Sequence, residues 1–458
     1  MLAWLVEEVA SPYGTVTTLH WAVPDAAADG EDDDGSLNST ALQVELESAE
    51  DQLGAVLWNS NPAALHYLHT HVFQLPPLKG RGASTPVSAT SSSHSPLAGM
   101  NIVELGAGVG CLGVALAMAG ARVAVTDVKE LLPLMAHNVK LNETRVRTRS
   151  HGVGYCAALQ WKWGPTATTS VHKQLQKEMK GSPKSSHDSN IIGGSAKNSG
   201  SSAEDVAAVE RVMSAMVESL KKPSDSLVAC SNALQPTASR TAASSTPPYH
   251  YVIMCDALYG NPKDWPALLY TLTELLSTNP DGCEVVNFCE QRVEDVEGAF
   301  LQMLDEENKR VYVPASQKDT AEDPLWAAVK DSARNYAVAA SAAMENSASS
   351  RGTSSSSAAA VELHRARDEA ASALLNYVLV QRRGTHHWTY KTEVVAEAQS
   401  ELNMTIRATR IRWTPAKADA AADSSAAAPA ESRRRPREAE RVAEQPHTAA
   451  LKKAKEGG

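Results

Sequence analysis

The sequence predicts an α/β fold, a parallel sheet with helices on both faces, interrupted by long low-complexity insertions. Three observations carry this prediction. A strand, a glycine-rich turn, a helix and a second strand ending on an acid follow one another between Asn101 and Asp127. Two more apolar runs, Tyr251–Cys255 and Glu284–Cys289, have the length and unbroken apolar texture of central parallel strands. The third observation is compositional: of 458 residues only 5% are aromatic and three are Phe, while Ser, Ala, Thr and Pro crowd into a few stretches. Setting aside 77–98, 166–248, 306–360 and 415–458 leaves about 250 residues, which suits one domain with a sizeable core.

Taken in order, Thr15–Val23 alternates β-branched and polar residues and reads as a strand, and the acidic run Glu31–Asp34 as a solvated loop. Leu53–Trp58 reads as a short strand, followed by a helix with Asn61 as N-cap and Pro62 in its first turn. Residues 77–98 form a polar linker after this N-terminal segment, 1–76. From Asn101 the texture changes. Ile102–Leu105 is a buried strand, Gly106–Gly113 a turn, Cys111–Ala119 a small-residue helix closed by Gly120, and Arg122–Thr126 a second strand ending at Asp127. Lys129–Asn142 is helical, with Leu131, Leu134, Met135 and Val139 on one face. This is a βαβ unit, the building block of a Rossmann-like sheet.

Residues 166–248 hold no Phe, Tyr or Trp and read as a disordered insertion, with one marginal solvent-side helix over 203–221. That helix would carry a stripe of Val206, Val209, Met213, Met216 and Leu220, capped by Ser202. Trp265–Leu276 is an amphipathic helix, and the core segment 99–305 runs on through the strand Glu284–Cys289. Residues 306–360 return to low complexity. A helix over 361–380 presents Leu363, Ala366, Ala370, Leu374 and Tyr377 at intervals of three and four, and Met404–Trp413 alternates as a last half-exposed strand; 361–414 thus belong to the same domain. The tail 415–458 reads as disordered, basic and Ala-rich. Its runs Arg433–Arg437 and Lys452, Lys453, Lys455 have the composition of a nuclear-import signal, although a solvated basic tail is the plainer reading.

A net charge of −10 weighs against general nucleic-acid binding. The six cysteines (111, 156, 230, 255, 283 and 289) show no CxxC and no regular spacing, which fits a reducing compartment better than disulfides or zinc. Met1–Val6 is followed at once by Glu7 and Glu8, so no signal peptide is expected, and no run approaches the ~18 uncharged apolar residues of a membrane span. The expected location is cytoplasmic, with the nucleus open through the basic tail.

The chemistry concentrates at Glu104-Leu-Gly106-Ala107-Gly108-Val-Gly110. Glycines there let the backbone approach a ligand, and the helix that follows offers free amide donors. Asp127, ending the next strand, can accept both hydroxyls of a ribose. Gly108, Gly110 and Gly113 also satisfy G-x-G-x-x-G, so a nicotinamide or flavin cofactor stays open on this turn alone. The extra Gly106 and the carboxylate of Glu104 tilt the reading toward a cationic, amino-bearing cofactor, because a pyrophosphate would be repelled.

ELGAGVG, the VTD ending at Asp127 and the run ELLPLMAHNVKLN resemble the class I S-adenosylmethionine-dependent methyltransferases, which implies a seven-β-strand methyltransferase sheet. Val56-Leu-Trp58 before a helix, Trp163-Gly164 after the third strand, Asp256-x-x-Tyr259 after the fourth and Glu290-Gln-Arg292 ending the fifth narrow the resemblance to the methyltransferase family 16 group of protein-lysine methyltransferases. It covers about half the chain. The chain departs from the family in having Asn59 where Asp is common, and in carrying a long insertion after Gly164 and another after Arg292.

The resemblance implies S-adenosyl-L-methionine as cofactor and direct transfer of its methyl to a lysine amine of a specific non-histone protein. Gly106, Ala107 and Gly108 would pass under the methionine part, Asp127 would hold the ribose, Trp163 would pack on adenine, Trp58 would line the methyl-transfer end and Cys255 would add backbone contacts. Asp256 and Tyr259 are the candidate catalytic pair, orienting the incoming amine by charge and by ring face and hydroxyl. Glu290-Gln-Arg292 resembles the branch of the group that acts on valosin-containing protein, so a chaperone or AAA ATPase is the implied partner class. Other acceptors (arginine, a small molecule) and a catalytically silent cofactor-binding scaffold remain the rival readings. The scattered histidines show no ligand spacing, and the adjacent pair His386-His387 reads as a surface loop.

Overall fold

The structure, a computed structural model, describes residues 4–11, 14–21, 42–48, 53–58, 60–74, 97–165, 203–235, 248–259, 262–291, 295–314, 323–349, 355–397 and 405–416. The acidic run 31–34, most of the polar linker, Asn59, Arg292 and the basic tail lie outside the described residues. Three N-terminal strands, β1 (Trp4–Ser11), β2 (Gly14–Trp21) and β3 (Leu42–Ser48), form a separate antiparallel sheet in that order. Only β2 was legible as a strand. The expected strand at Leu53–Trp58 is instead a single 3-10 turn, Leu53–Ala55, leading into α1 (Ser60–Tyr67) and one π-helical turn, Leu68–Val72. Asn61 is not the cap of α1. It lies inside the helix and turns back, its backbone and side-chain N–H groups both donating to Trp58 O.

The βαβ unit follows as β4 (Asn101–Leu105), α2 (Cys111–Met118), β5 (Arg122–Asp127), α3 (Leu132–Leu141), α4 (Glu143–Arg149) and β6 (Tyr155–Gln160). Next come α5 (Ala203–Lys221), α6 (Asp225–Leu234), β7 (Tyr251–Cys255), α7 (Trp265–Leu276), β8 (Glu284–Glu290) and α8 (Val296–Asn308). The chain closes with α9 (Pro324–Ser349), α10 (Ser355–Arg383), β9 (His386–Glu397) and β10 (Thr405–Pro415). The main sheet has seven strands in the order β6-β5-β4-β7-β8-β10-β9. Strands β4 to β8 run parallel, and β10 pairs antiparallel with both β8 and β9. His386 and His387 open β9 rather than sitting in a loop. This is a methyltransferase-like α/β sheet, and its order reverses between β4 and β7, where open α/β sheets place a ligand crevice.

The core lies in two layers because successive strand residues face opposite ways. Val103, Ala124, Val252 and Val285 face one layer; their neighbours Ile102, Val123, Ile253 and Val286 face the other. Helices α1 to α4 and strand β3 cover the second layer, and α5 to α10 cover the first. Within the expected disordered insertion, α5 is therefore not a solvent-side helix. Met213, Met216, Val217 and Leu220 are buried, each worth roughly 1.5–3 kcal/mol of transfer free energy. Their partners come from elsewhere in the chain: α9 brings Val329, Ala333 and Tyr336 out of the stretch read as low complexity, and α10 turns Ala370, Leu374 and Tyr377 inward. Tyr270 and Arg382 donate to the terminal carbonyl of Leu220, and Arg334 pairs with Glu210 at 3.2 Å. Each stripe alone is too poor in aromatics to fold, but together they close a helical layer.

Two asparagines hold the N-terminal sheet to the main one. Asn138 Oδ1 accepts from Glu47 N–H (2.7 Å) while its Nδ2 donates to Glu47 O and to Val109 O (3.0 Å each). One turn further, Asn142 repeats the pattern on Glu45, accepting at 3.1 Å and donating at 2.7 Å. Side-chain amides on one helix edge thus replace a missing strand along β3, and Asn138 also reaches the glycine-rich loop. At the far side, Glu284 accepts from both Arg410 and Arg412 with both oxygens, which fixes β10 against β8. Replacing Asn138, which is fully buried, leaves several backbone groups without partners. Asn138→Ala is expected to lower unfolding free energy by about 2–4 kcal/mol in urea titrations, whereas exposed Lys140→Ala stays within ~0.5 kcal/mol.

Candidate functional site

The carboxyl ends of β4, β5, β6 and β7 converge on the glycine-rich turn. Gly106, Gly108 and Gly110 all have positive φ (67°, 55° and 80°), which side-chain-bearing residues rarely adopt. At Gly106 the constraint is also spatial. A Cβ there would lie 3.0 Å from Ala257 Cβ and 3.6 Å from Trp163 Cζ2, so the loops after β4, β6 and β7 touch at one backbone atom. At Gly108 a Cβ would meet Gly54 O at 2.5 Å, so the 3-10 turn before Trp58 closes over the same loop. Ala107, buried between them, donates its N–H to Thr126 O (3.0 Å) and ties the turn to β5.

Asp127 ends β5 with its side chain folded back on this turn. Its Oδ2 accepts from Gly108 N–H (2.9 Å) and its Oδ1 from Val128 N–H (2.7 Å). Burial raises its pKa, and these two donors oppose the rise. Each oxygen keeps a further lone pair, so the group can still accept from a vicinal diol. Val128 beside it is exposed, and Trp163 is half-buried against the core. Gly164 (φ 93°) turns the chain after Trp163, its N–H donating to Thr271 Oγ1 on α7.

Glu104 does not do what its place in the sequence suggested. It is buried at 2% exposure and turned toward α2, where its Oε2 accepts from Gly113 N–H at 2.8 Å, one of the free donors of the helix's first turn. Desolvation, opposed by that hydrogen bond and aided by the charge of Asp127, pushes its pKa up to about 8. At neutral pH it is mostly protonated. Glu104 is thus buried against α2, and the acids that border the turn are Asp127 and Asp256.

Asp256 follows β7 in the left-handed region at φ 49°, a conformation Asp tolerates better than most residues. Both its oxygens are engaged: Oδ1 accepts from Glu290 N–H (2.8 Å) and Oδ2 from the hydroxyl of Ser60 on α1. Cys255 Sγ donates to the same hydroxyl at 3.3 Å. Burial holds this thiol well above its ordinary pKa, so it is no nucleophile. Tyr259 stands at the end of a 3-10 turn, Ala257–Tyr259, and its side chain lies outside the described residues. Trp58 is half-buried just ahead of α1. Gly106, Gly108, Asp127, Trp163 and the Cys255–Asp256 corner are thus gathered at the crevice, and Ser60, two positions after Trp58, bonds to that corner. Sequence reasoning missed Ser60, since nothing in a helix start signals a partner 196 positions away.

Among the described residues no group of three or more His, Cys, Asp or Glu side chains is placed to hold a metal ion, and no helix is long and apolar enough to cross a membrane. A cavity of about 430 Å³ lined by Val139, Lys140, Glu143, Arg147 and Tyr155 lies along the sheet edge at β6 and shares no residue with the crevice.

The neutral Glu104 has a consequence for stability. Its folded-state pKa of about 8 lies above the ordinary value of 4.5, so over that interval the native state holds a proton the unfolded chain has lost. Stability then falls as pH rises from about 4.5 to about 8. Melting temperatures across this range should decline in the wild type with a slope that Glu104→Gln, neutral at every pH, reduces.

Comparison with known proteins bears on the same segment. The family model described as "Lysine methyltransferase" matches residues 36–174. Protein-lysine methyltransferase METTL21E of Bos taurus is 26% identical over 119 residues, 26% of this chain and 33% of the relative. The protein of the same name from Mus musculus is 26% identical over 100 residues, 22% of this chain and 33% of its own length. The chain spans about a third of the length of these curated relatives. The stretch from β3 through the glycine-rich turn and Asp127 to Trp163 is thus the part of the chain that is similar to the lysine methyltransferase family.

Proposed function

We propose that this protein is an S-adenosyl-L-methionine-dependent protein-lysine N-methyltransferase acting on a specific non-histone protein. The observation that carries the reading is the crevice itself: Gly106 backed against Ala257 and Trp163 at the point where strand order reverses, with Asp127 folded onto Gly108. The match to the lysine methyltransferase family over 36–174 and the similarity to proteins named METTL21E support it.

The residues fit such a cofactor. Asp127 retains acceptors for a ribose diol, Trp163 offers an aromatic wall for a purine, and Gly106 and Gly108, without side chains of their own, leave their backbone open to close approach. The bound cofactor supplies an electrophilic methyl group. The protein's part is to bring a neutral lysine amine in line with it. Free lysine titrates near ~10.4, so the approach must disfavour the charged ammonium. Trp58 would line the methyl-transfer end, where a ring face attracts the cofactor's sulfonium, and Asp256, with Tyr259 beyond it, would accept from and orient the neutral amine. Most of the rate then comes from alignment of two reactants. The resemblance of Glu290-Gln-Arg292 favours a chaperone or AAA ATPase such as valosin-containing protein as substrate; the cysteine pattern favours a cytoplasmic location, and the basic runs of the tail leave nuclear access open.

The test is incubation of the full chain with methyl-labelled cofactor and a cell lysate, read by mass spectrometry. Label on lysine of one or a few proteins is expected. Label on arginine or in the protein-free fraction overturns the lysine reading, and cofactor binding without any transfer favours a silent scaffold. Asp127→Ala should weaken S-adenosylhomocysteine binding by about tenfold or more in calorimetry, as loss of charge-assisted hydrogen bonds predicts.

A further inference from the structure

Ser60 lies between two residues of the crevice and has no solvent exposure. A hydroxyl has one hydrogen to give and lone pairs to fill. The Cys255 thiol donates into Ser60 Oγ at 3.3 Å, and burial keeps that thiol protonated. The hydroxyl hydrogen is therefore free for Asp256 Oδ2, which it reaches. The result is a chain of fixed direction, thiol to hydroxyl to carboxyl. The other oxygen of Asp256 is held by Glu290 N–H, and Asp256 N–H donates to Phe288 O at 2.9 Å. A carboxylate offers about four lone-pair positions, and two are used here. Asp256 keeps 9% of its surface exposed while Ser60 keeps none, so the carboxyl side of this pair is the one nearer solvent.

Resting on the methyltransferase reading above, we infer that Ser60 is a positioning residue: it fixes the carboxyl of Asp256 in one orientation and joins α1, the helix that follows Trp58, to the corner after β7, so that both sides of the amine approach move as one. Without the hydroxyl, Oδ2 loses its only side-chain donor among the described contacts, and the carboxyl is free to rotate on a backbone already held at positive φ.

The experiment compares the full-length wild type with Ser60→Ala, Ser60→Thr and Ser60→Cys. Each is assayed for the rate of labelled methyl transfer to lysate protein at saturating cofactor, for KM of S-adenosylmethionine and for S-adenosylhomocysteine affinity. Ser60→Ala should lose about tenfold or more in maximal rate, as removing a donor to a charged group predicts, while KM for the cofactor and S-adenosylhomocysteine affinity change less than about twofold. Ser60→Thr should restore most of the rate, and Ser60→Cys, a weaker donor that keeps the site filled, should fall between, which decides the matter even if the alanine variant folds poorly. Equal rates in wild type and Ser60→Ala overturn the inference, as does loss of affinity in step with rate or failure of threonine to rescue. A wild type that transfers label to no protein overturns the methyltransferase reading itself, and the amine-orienting role with it.

Discussion

At Gly106 the loops that follow three strands of the sheet come together with no room for a side chain. Ala257 closes one side and the Trp163 ring another, and the backbone is held at φ 67°. This close approach packs the loops after β4, β6 and β7 against one another beside the point where the strand order reverses. Gly108 repeats the constraint outward: the carbonyl of Gly54 occupies the place of its side chain. The N-terminal segment is thereby drawn over the turn, and Asn138, bonded at once to β3 and to Val109 O, holds it there. The glycines serve the meeting of loops as much as access for a ligand.

The acids around this point divide by environment. Glu104, sealed under α2 with its pKa raised by burial, braces the first turn of a helix. Asp127 also feels burial but is fed by two backbone donors, and it keeps acceptors in reserve. Asp256 sits at the lip of the crevice with a hydroxyl and an amide fixing its two oxygens. Three carboxyl groups around one turn thus brace a helix, tie a loop and pin a corner, according to where their hydrogen-bond donors lie.

The helical layer formed by α5, α9 and α10 shows how segments with weak individual signals become core. Arg382 stacks over Tyr270 at 4.3 Å, caps the carbonyl of Leu220 and reaches Glu274 at 3.6 Å, so the ends of three helices are tied by one side chain. Ser224 caps α6 and donates to the same Glu274 at 2.8 Å. Two stretches of chain more than 100 residues apart thereby close a single face of the sheet.

The sequence by itself determined the local grammar. The βαβ run from Asn101 to Asp127, the strands Tyr251–Cys255 and Glu284–Cys289 and the helix Trp265–Leu276 are visible in periodicity and glycine placement, because their residues are buried on nearly every side and need no distant partner to declare themselves. Tertiary structure decided the rest. Whether Met213 and Leu220 face solvent or core depends on Tyr336 and Tyr377, which no local window contains. Whether Glu104 is a charge or a cap depends on the depth at which α2 covers it. The bond between Ser60 and Asp256 exists because folding carries residues 196 positions apart to one corner. Short-range patterns fix what an element is; burial and long-range donors, which appear only when the layers close, fix what its polar side chains do.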